Sequence, residues 1–307
     1  MAEPEKAYRC SERPSLQADN TEIMKHISLH IVRRCAEMEE TEIYYDEKSK
    51  SYDETFSILY FRVFDAITWK YLEQYLPTNP NALVLDAGGG TGRWTVRIAK
   101  KVRKVVLMDI SEGMLKVAAQ RIKQEGMEDN VVIKKGDIAR TGYADGTFDL
   151  IFCEHALFLF KEPDILLEEF ARILKRKATL IISAHNRYVT SLARLPDIPK
   201  SKDLKNALML LRERKHQFMA PDNKVRIFTW TPNEFRTMLE RHGFQIEKII
   251  GKGITMPLRI SNELFTRKKY SETLFNNILQ FELALCDKPD ALALAGHMQA
   301  IAHKKRD

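Results

Sequence analysis

A short apolar run, Leu83-Val84-Leu85, ends in Asp86, and Gly88, Gly90 and Gly92 follow at alternate positions. The run has the length and composition of a parallel strand buried on both faces. The glycines let the chain turn sharply and let a ligand approach the backbone with no Cβ in the way. A helix then resumes near Arg93. The spacing is D-x-G-x-G-x-G, whereas a loop that cradles a dinucleotide pyrophosphate reads G-x-G-x-x-G and needs no acid two residues before its first glycine. An acid at that place suits a ligand with a positively charged end.

Three more apolar runs follow in order. Val105-Val106-Leu107-Met108 ends in Asp109, 23 positions after Asp86, with Ile110 and Ser111 next. That separation is close to the one expected for a ribose-binding acid on the neighbouring strand. Val131-Val132-Ile133 leads to Gly136, Asp137 and Ile138, and Phe148-Asp149-Leu150-Ile151-Phe152 leads to Cys153, Glu154 and His155. Together, these four strand ends resemble the class I S-adenosylmethionine-dependent methyltransferases, closely over residues 80–185 and loosely over 230–305. The resemblance implies S-adenosylmethionine as cofactor and S-adenosylhomocysteine as product. It assigns Gly88, Gly90 and Gly92 to the loop against the donor's methionine part, and Asp86 to its ammonium, directly or through water. It assigns Asp109 to the ribose, Asp137 to the adenine amine, and Ile110 and Ile138 to the faces of the adenine ring. Glu154 and His155 then face the transferred methyl group.

The fold expected is α/β: a Rossmann-like, seven-stranded, mostly parallel sheet with helices on both faces, an N-terminal helical lid, and insertions after strands 5 and 6. Residues 1–20 read as a flexible tail, 21–78 as the helical lid, 79–185 as the donor-binding core, 186–230 as a helical cap over substrate, and 231–307 as the rest of the core with a second insertion at 252–292. Helices are expected over 22–38 and 51–75, and a further one starts with Thr231 as cap and Pro232 at its first position. Tyr44 and Tyr45 fall between the first two helices and Tyr52 at the start of the second, and Tyr45 and Tyr52 are candidates to cover the donor. Both insertions begin at carboxyl ends of strands, where open parallel sheets bind ligands.

At 307 residues the chain can bury a full core, and 44% hydrophobic with 30% charged residues is ordinary for a globular protein. No apolar stretch approaches the roughly 20 residues of a membrane span, and the polar N-terminus is no secretory signal. Cys10, Cys35, Cys153 and Cys286 show no zinc spacing, so no metal is expected and a reducing cytoplasm is the simplest home. Methyl transfer from a sulfonium needs orientation and exclusion of water more than a metal or a covalent nucleophile. His155 is the candidate proton acceptor, with Glu154 beside it; the alternative for His155 is to shape the pocket through hydrogen bonds. The net charge of +7 lies almost wholly in residues 186–230, with ten basic and four acidic residues. If those groups face inward the acceptor is anionic; if they face outward they only solvate a helical face. The leading reading is a methyltransferase of a small, anionic or polar acceptor. An RNA or protein acceptor is the alternative, supported by the basic insertion and opposed by the Cys-Glu-His strand end. A further alternative is a non-catalytic scaffold of the same fold.

Overall fold

The computed structural model describes residues 38–193, 200–212, 218–219, 226–255 and 266–305. The expected tail at 1–20 and the helix at 22–38, all but its last residue, lie outside them. The central sheet is built from β1 (Leu83–Ala87), β2 (Lys104–Asp109), β3 (Val131–Lys135), β4 (Phe148–Cys153), β5 (Leu174–His185), β6 (Phe244–Lys252) and β7 (His297–Lys304). Their spatial order is β3-β2-β1-β4-β5-β7-β6. The first five strands pair in parallel, and β7 runs antiparallel to both β5 and β6.

Alternate residues of the inner strands feed two separate cores. Leu85, Val106, Ile151, Leu180 and Ala300 pack on one face, where Phe170 and Phe235 of the covering helices meet them. Val84, Leu107, Phe152, Ile181 and Ile301 pack on the other, against Leu59, Val63 and Ile67. This two-sided burial explains why the strands read as continuous apolar runs rather than alternating ones. The sheet is thus the mostly parallel one that the sequence implies.

The helices are α1 (38–48), α2 (Tyr52–Thr55), α3 (Leu59–Tyr75), α4 (Arg93–Ala99), α5 (Glu112–Gln124), α6 (Pro163–Ile173), α7 (Arg187–Leu192), α8 (Ser201–Arg212), α9 (Pro232–Arg241) and α10 (Glu272–Leu285). Thr231 and Glu234 form a capping box at the start of α9, with Pro232 in its first turn. Ser111 caps α5 by accepting from the Met114 amide at 3.0 Å. The single helix expected over 51–75 is instead two, α2 and α3. Ile58 is extended (φ −76°, ψ 154°), and the Leu59 amide donates to the Arg267 carbonyl at 3.0 Å. The break buries Phe56, with the Arg93 guanidinium 3.8 Å above its ring. Tyr44 and Tyr45 lie within α1 rather than in a connecting loop. No helix of the described residues is long and apolar enough to cross a membrane.

Candidate active site

A cavity opens at the carboxyl ends of β1, β2 and β4 and beyond β3. It encloses about 1320 Å³ of empty space, the part open to solvent included, and is lined by Gly88, Gly90, Asp109, Ile110, Asp137, Ile138 and His155 among others. Seven expected site residues from four separate strand ends therefore converge. Tyr45 and Tyr52 close one side, their rings 6.0 Å apart and edge to face.

The glycine loop is built for this opening. Gly88, Gly90 and Gly92 have φ of +73°, +54° and +74°, a region that side chains disfavour. A Cβ on Gly90 would meet nothing within 4 Å, whereas one on Gly88 would lie 2.8 Å from the Cβ of Ala156. Gly88 therefore permits close approach of the segment after β4, and Gly90 supplies a turn beside open space. The Gly90 amide donates to Asp109 Oδ2 and the Ser111 amide to Asp109 Oδ1, both at 2.9 Å. Burial raises the Asp109 carboxyl above its usual range, and these amides oppose the shift. Asp137 Oδ1 accepts from the Ala139 amide at 2.9 Å, which orients its carboxylate at the cavity rim.

Three expected site residues lie elsewhere. Asp86 does not line the cavity; it sits beneath the loop, 2% exposed, accepting from Thr95 Oγ1 at 2.6 Å. Burial pushes its carboxyl up to about 7, against the lowering effect of the Thr95 hydrogen bonds. Gly92 also lies outside the lining, and its absent side chain lets the loop pack on Ala118 of α5, 3.2 Å from where a Cβ would sit. Glu154 turns away from the cavity into a buried ion pair. Lys252 Nζ, wholly buried, donates to both Glu154 oxygens at 2.9 Å, to Gln299 Oε1 at 2.9 Å and to Thr68 Oγ1 at 3.0 Å. Burial raises the Glu154 carboxyl and lowers the Lys252 ammonium, and each charge opposes the other's shift.

His155 does line the cavity. Its backbone has φ of 55°, and its amide donates to Ser183 Oγ at 3.1 Å. Its ring stacks on Phe64 at 5.0 Å, and its buried Nε2 has no hydrogen-bond partner within the described residues. Burial, reinforced by the nearby Lys252 charge, holds it well below the ordinary histidine value, so it is a neutral imidazole and a weak base.

Several contributors were not legible in the sequence. Asp46 Oδ1 accepts from Ser111 Oγ at 2.6 Å and the Gly113 amide at 2.7 Å, docking α1 on the N-terminus of α5. Asp53 accepts from Thr91 Oγ1 at 2.7 Å and pairs with Arg121, holding α2 beside the glycine loop. Arg140 and Lys161 supply basic groups to the lining. The insertion after β5 does not: Lys200, Lys202, Lys205, Arg212 and Arg226 are exposed. Arg187 is buried but pinned to Glu234 at 2.6 Å and to the Thr229 carbonyl. Arg194, Arg214, Lys215 and Lys224 lie outside the described residues. Among the described residues, the anionic-acceptor expectation drawn from this insertion thus has no inward-facing charge behind it except Arg187, which is paired with Glu234.

Residues 78–243 match a family model described as a methyltransferase domain, more than half of the chain. The chain belongs to the class I S-adenosylmethionine-dependent methyltransferases. A demethylmenaquinone methyltransferase of Lactiplantibacillus plantarum is 36% identical over 104 residues, which is 33% of this chain and 44% of that one. The chain thus spans less than half the length of the first quinone-type relatives it matches. A tRNA 5-carboxymethoxyuridine methyltransferase of Escherichia coli O157:H7 is 24% identical over 244 residues, covering 78% of this chain and 87% of that one. The structure of an S-adenosylmethionine-dependent methyltransferase from Mesorhizobium loti shares the fold, with a TM-score of 0.52 at 18% identity over 78% of this chain and 99% of that one.

S-adenosylmethionine is the family's cofactor, and the donor set of this methyltransferase cavity suits it. Asp109 and Asp137 bring to the lining two carboxyl groups able to accept from hydroxyls and an amine, and Ile110 and Ile138 bring two apolar side chains able to pack on a ring. An uncompensated buried carboxyl lies under the loop, where a positive ligand would favour its ionised form.

Proposed function

We propose that this methyltransferase holds its donor in the cavity at the carboxyl ends of β1 and β2 and acts on a small acceptor beside His155. The convergence of Gly88, Gly90, Asp109, Ile110, Asp137, Ile138 and His155 on one cavity carries the reading. Asp109, braced by two amides, accepts from the ribose hydroxyls. Ile110 and Ile138 sandwich the adenine, and Asp137 takes its amine. Gly88 and Gly90 leave backbone exposed to the methionine part. Asp86 acts through the loop as a buried negative charge, without touching the donor. Tyr45 and Tyr52 exclude water. The bound donor supplies a methyl group already activated on a sulfonium. The chain's own part is to orient the acceptor and dry the site. The neutral His155 imidazole, ringed by Phe56, Phe61, Phe64 and Phe158, favours an uncharged or weakly acidic acceptor over a strong anion. Calorimetry with S-adenosylhomocysteine tests the donor half. One site is expected, and Asp109→Asn should weaken it at least about tenfold, since a charge-assisted hydrogen bond contributes roughly 1.5–3 kcal/mol. No heat with the parent protein refutes it.

A second reading keeps the donor site and makes the acceptor a tRNA. It is supported by the length of the alignment with the tRNA enzyme and by the exposed lysines of α8. It requires tRNA binding that weakens steeply with salt.

A further inference from the structure

Three histidines meet at the carboxyl edge of the sheet. His155 follows β4, His185 ends β5 and His297 begins β7. The antiparallel register of β5 and β7 places His185 directly opposite His297, and β4 is the other neighbour of β5. The His185 and His297 Nε2 atoms are 3.2 Å apart, and one ring nitrogen of each of the three lies within 4.8 Å of the others. Two imidazole nitrogens bound to one zinc at about 2.0–2.1 Å and a tetrahedral angle stand roughly 3.3 Å apart. The His185–His297 pair already has that spacing. A ring rotation of His155, whose buried Nε2 makes no hydrogen bond among the described residues and lies 3.7 Å from Glu154 Oε1, would bring in the third nitrogen.

The surroundings suit ligation. Tyr60 Oη lies 3.4 Å from His297 Nδ1, the kind of outer contact that fixes which nitrogen of a ligating histidine faces the metal. Tyr60 reaches that point because residue 253 is glycine, where a Cβ would lie 2.8 Å from the Tyr60 hydroxyl. The neighbouring charges are already paired, Lys252 with Glu154 and Arg93 with Asp65. His155 and His185 are only partly buried, which leaves a path for an ion.

We propose that His155, His185 and His297 form a three-histidine site for a divalent transition metal, with an open coordination position toward the donor cavity that takes an acidic oxygen of the acceptor. Three imidazole nitrogens select zinc, nickel, copper or ferrous iron over magnesium or calcium. A dication held by neutral ligands attracts an anionic fourth ligand, so the acceptor class is a phenol or enol that binds as its oxyanion, its proton leaving to water. The metal site stands by itself; its use on an acceptor rests on the methyltransferase reading.

The test uses the full chain after chelator treatment, titrated with zinc by calorimetry and with cobalt by visible absorption. The same samples are titrated with S-adenosylhomocysteine. One metal per chain is expected, with affinity falling at least about 100-fold in His185→Gln and in His297→Gln but not in His242→Gln, whose ring contacts Asp164 and the Met238 carbonyl outside the cluster. Acetohydroxamate, an oxygen-donor probe, should shift the cobalt spectrum of the parent protein. Absence of saturable binding, or equal affinity in parent and both variants, overturns the site; an unmoved spectrum at saturating acetohydroxamate overturns the open position. Retained S-adenosylhomocysteine binding shows that a variant is folded. Failure of the parent to bind S-adenosylhomocysteine would count against the donor reading and leave the metal result to be judged separately.

Discussion

Replacing Lys252 by Met tests whether Glu154 is a structural partner rather than a reacting group. The ammonium is wholly buried and donates to four acceptors, two of them the Glu154 oxygens. Removing it strands a carboxylate in the interior, which costs about 3–5 kcal/mol. Gln299 tempers that cost: its Nε2 has no hydrogen-bond partner among the described residues, and rotation of the amide would let it donate toward Glu154, so the lower end is expected. With an unfolding entropy of about 2.1 cal/mol/K per residue, roughly 3 kcal/mol corresponds to a fall in Tm of about 5 °C for a chain of this length. The double variant Glu154→Gln/Lys252→Met leaves no buried charge and should recover about 2 kcal/mol relative to Lys252→Met alone. The pH dependence has a defined sign. Burial raises the Glu154 carboxyl, and its lysine partner lowers it. Without the lysine, its folded value lies further above the unfolded one. The folded variant then binds the extra proton, so its deficit shrinks as pH falls through the folded value and grows toward neutrality. Urea unfolding of the parent, both single variants and the double variant at two pH values measures this. Additive single costs would refute the coupling. A loss of S-adenosylhomocysteine affinity in Glu154→Gln exceeding about threefold would refute its placement outside the donor site, because separated sites usually act independently.

Asp86, with its carboxyl raised to about 7 by burial, should ionise as the positively charged donor binds. Donor affinity is therefore expected to rise with pH through neutrality, and calorimetry in buffers of different ionisation heat should detect proton release that Asp86→Asn abolishes; a flat profile would count against the electrostatic role. Hydrogen exchange over residues 40–60 should slow when S-adenosylhomocysteine binds, and Asp46→Ala should speed it by removing the contacts to Ser111 and Gly113. Unchanged exchange with ligand would make this segment fixed packing only. Gly88→Ala should lower Tm more than Gly90→Ala: both strain a positive φ, but only the first also meets the Ala156 Cβ. Equal losses would mean that the segment after β4 gives way freely.

What the sequence made legible is local. Each core strand is an apolar run, and the residue just past its carboxyl end lies where the fold gathers ligands. Asp109, Ile110, Asp137 and Ile138 could therefore be placed by the family resemblance those strand ends carry, and they do share a cavity. The misplacements arose where a side chain's direction depends on a distant partner. Glu154 follows β4 as closely as His155 does. Lys252, 98 residues later, draws the carboxylate away, while His155, in its left-handed conformation, is left at the cavity. Asp86 precedes the glycines by two residues, and the turn they make covers it. The helix break at 56–58 depends on the Arg267 carbonyl, far along the chain.

The same contrast explains why spacing raised no expectation of a metal. Ligand motifs read from sequence rely on residues one turn or one loop apart. His155, His185 and His297 meet only because β7 inserts antiparallel beside β5 and brings its first residue to the carboxyl edge. In the wholly parallel part of the sheet, that edge receives only strand ends. The reversed strand adds a strand beginning, so an acceptor-side group can come from the last segment of the chain while the donor side comes from the first strands. Under the proposal, donor residues are set by local sequence and acceptor chemistry by long-range pairing. On this argument, substitutions at His185 and His297 should alter acceptor choice while leaving donor affinity nearly unchanged, because neither residue lines the donor cavity.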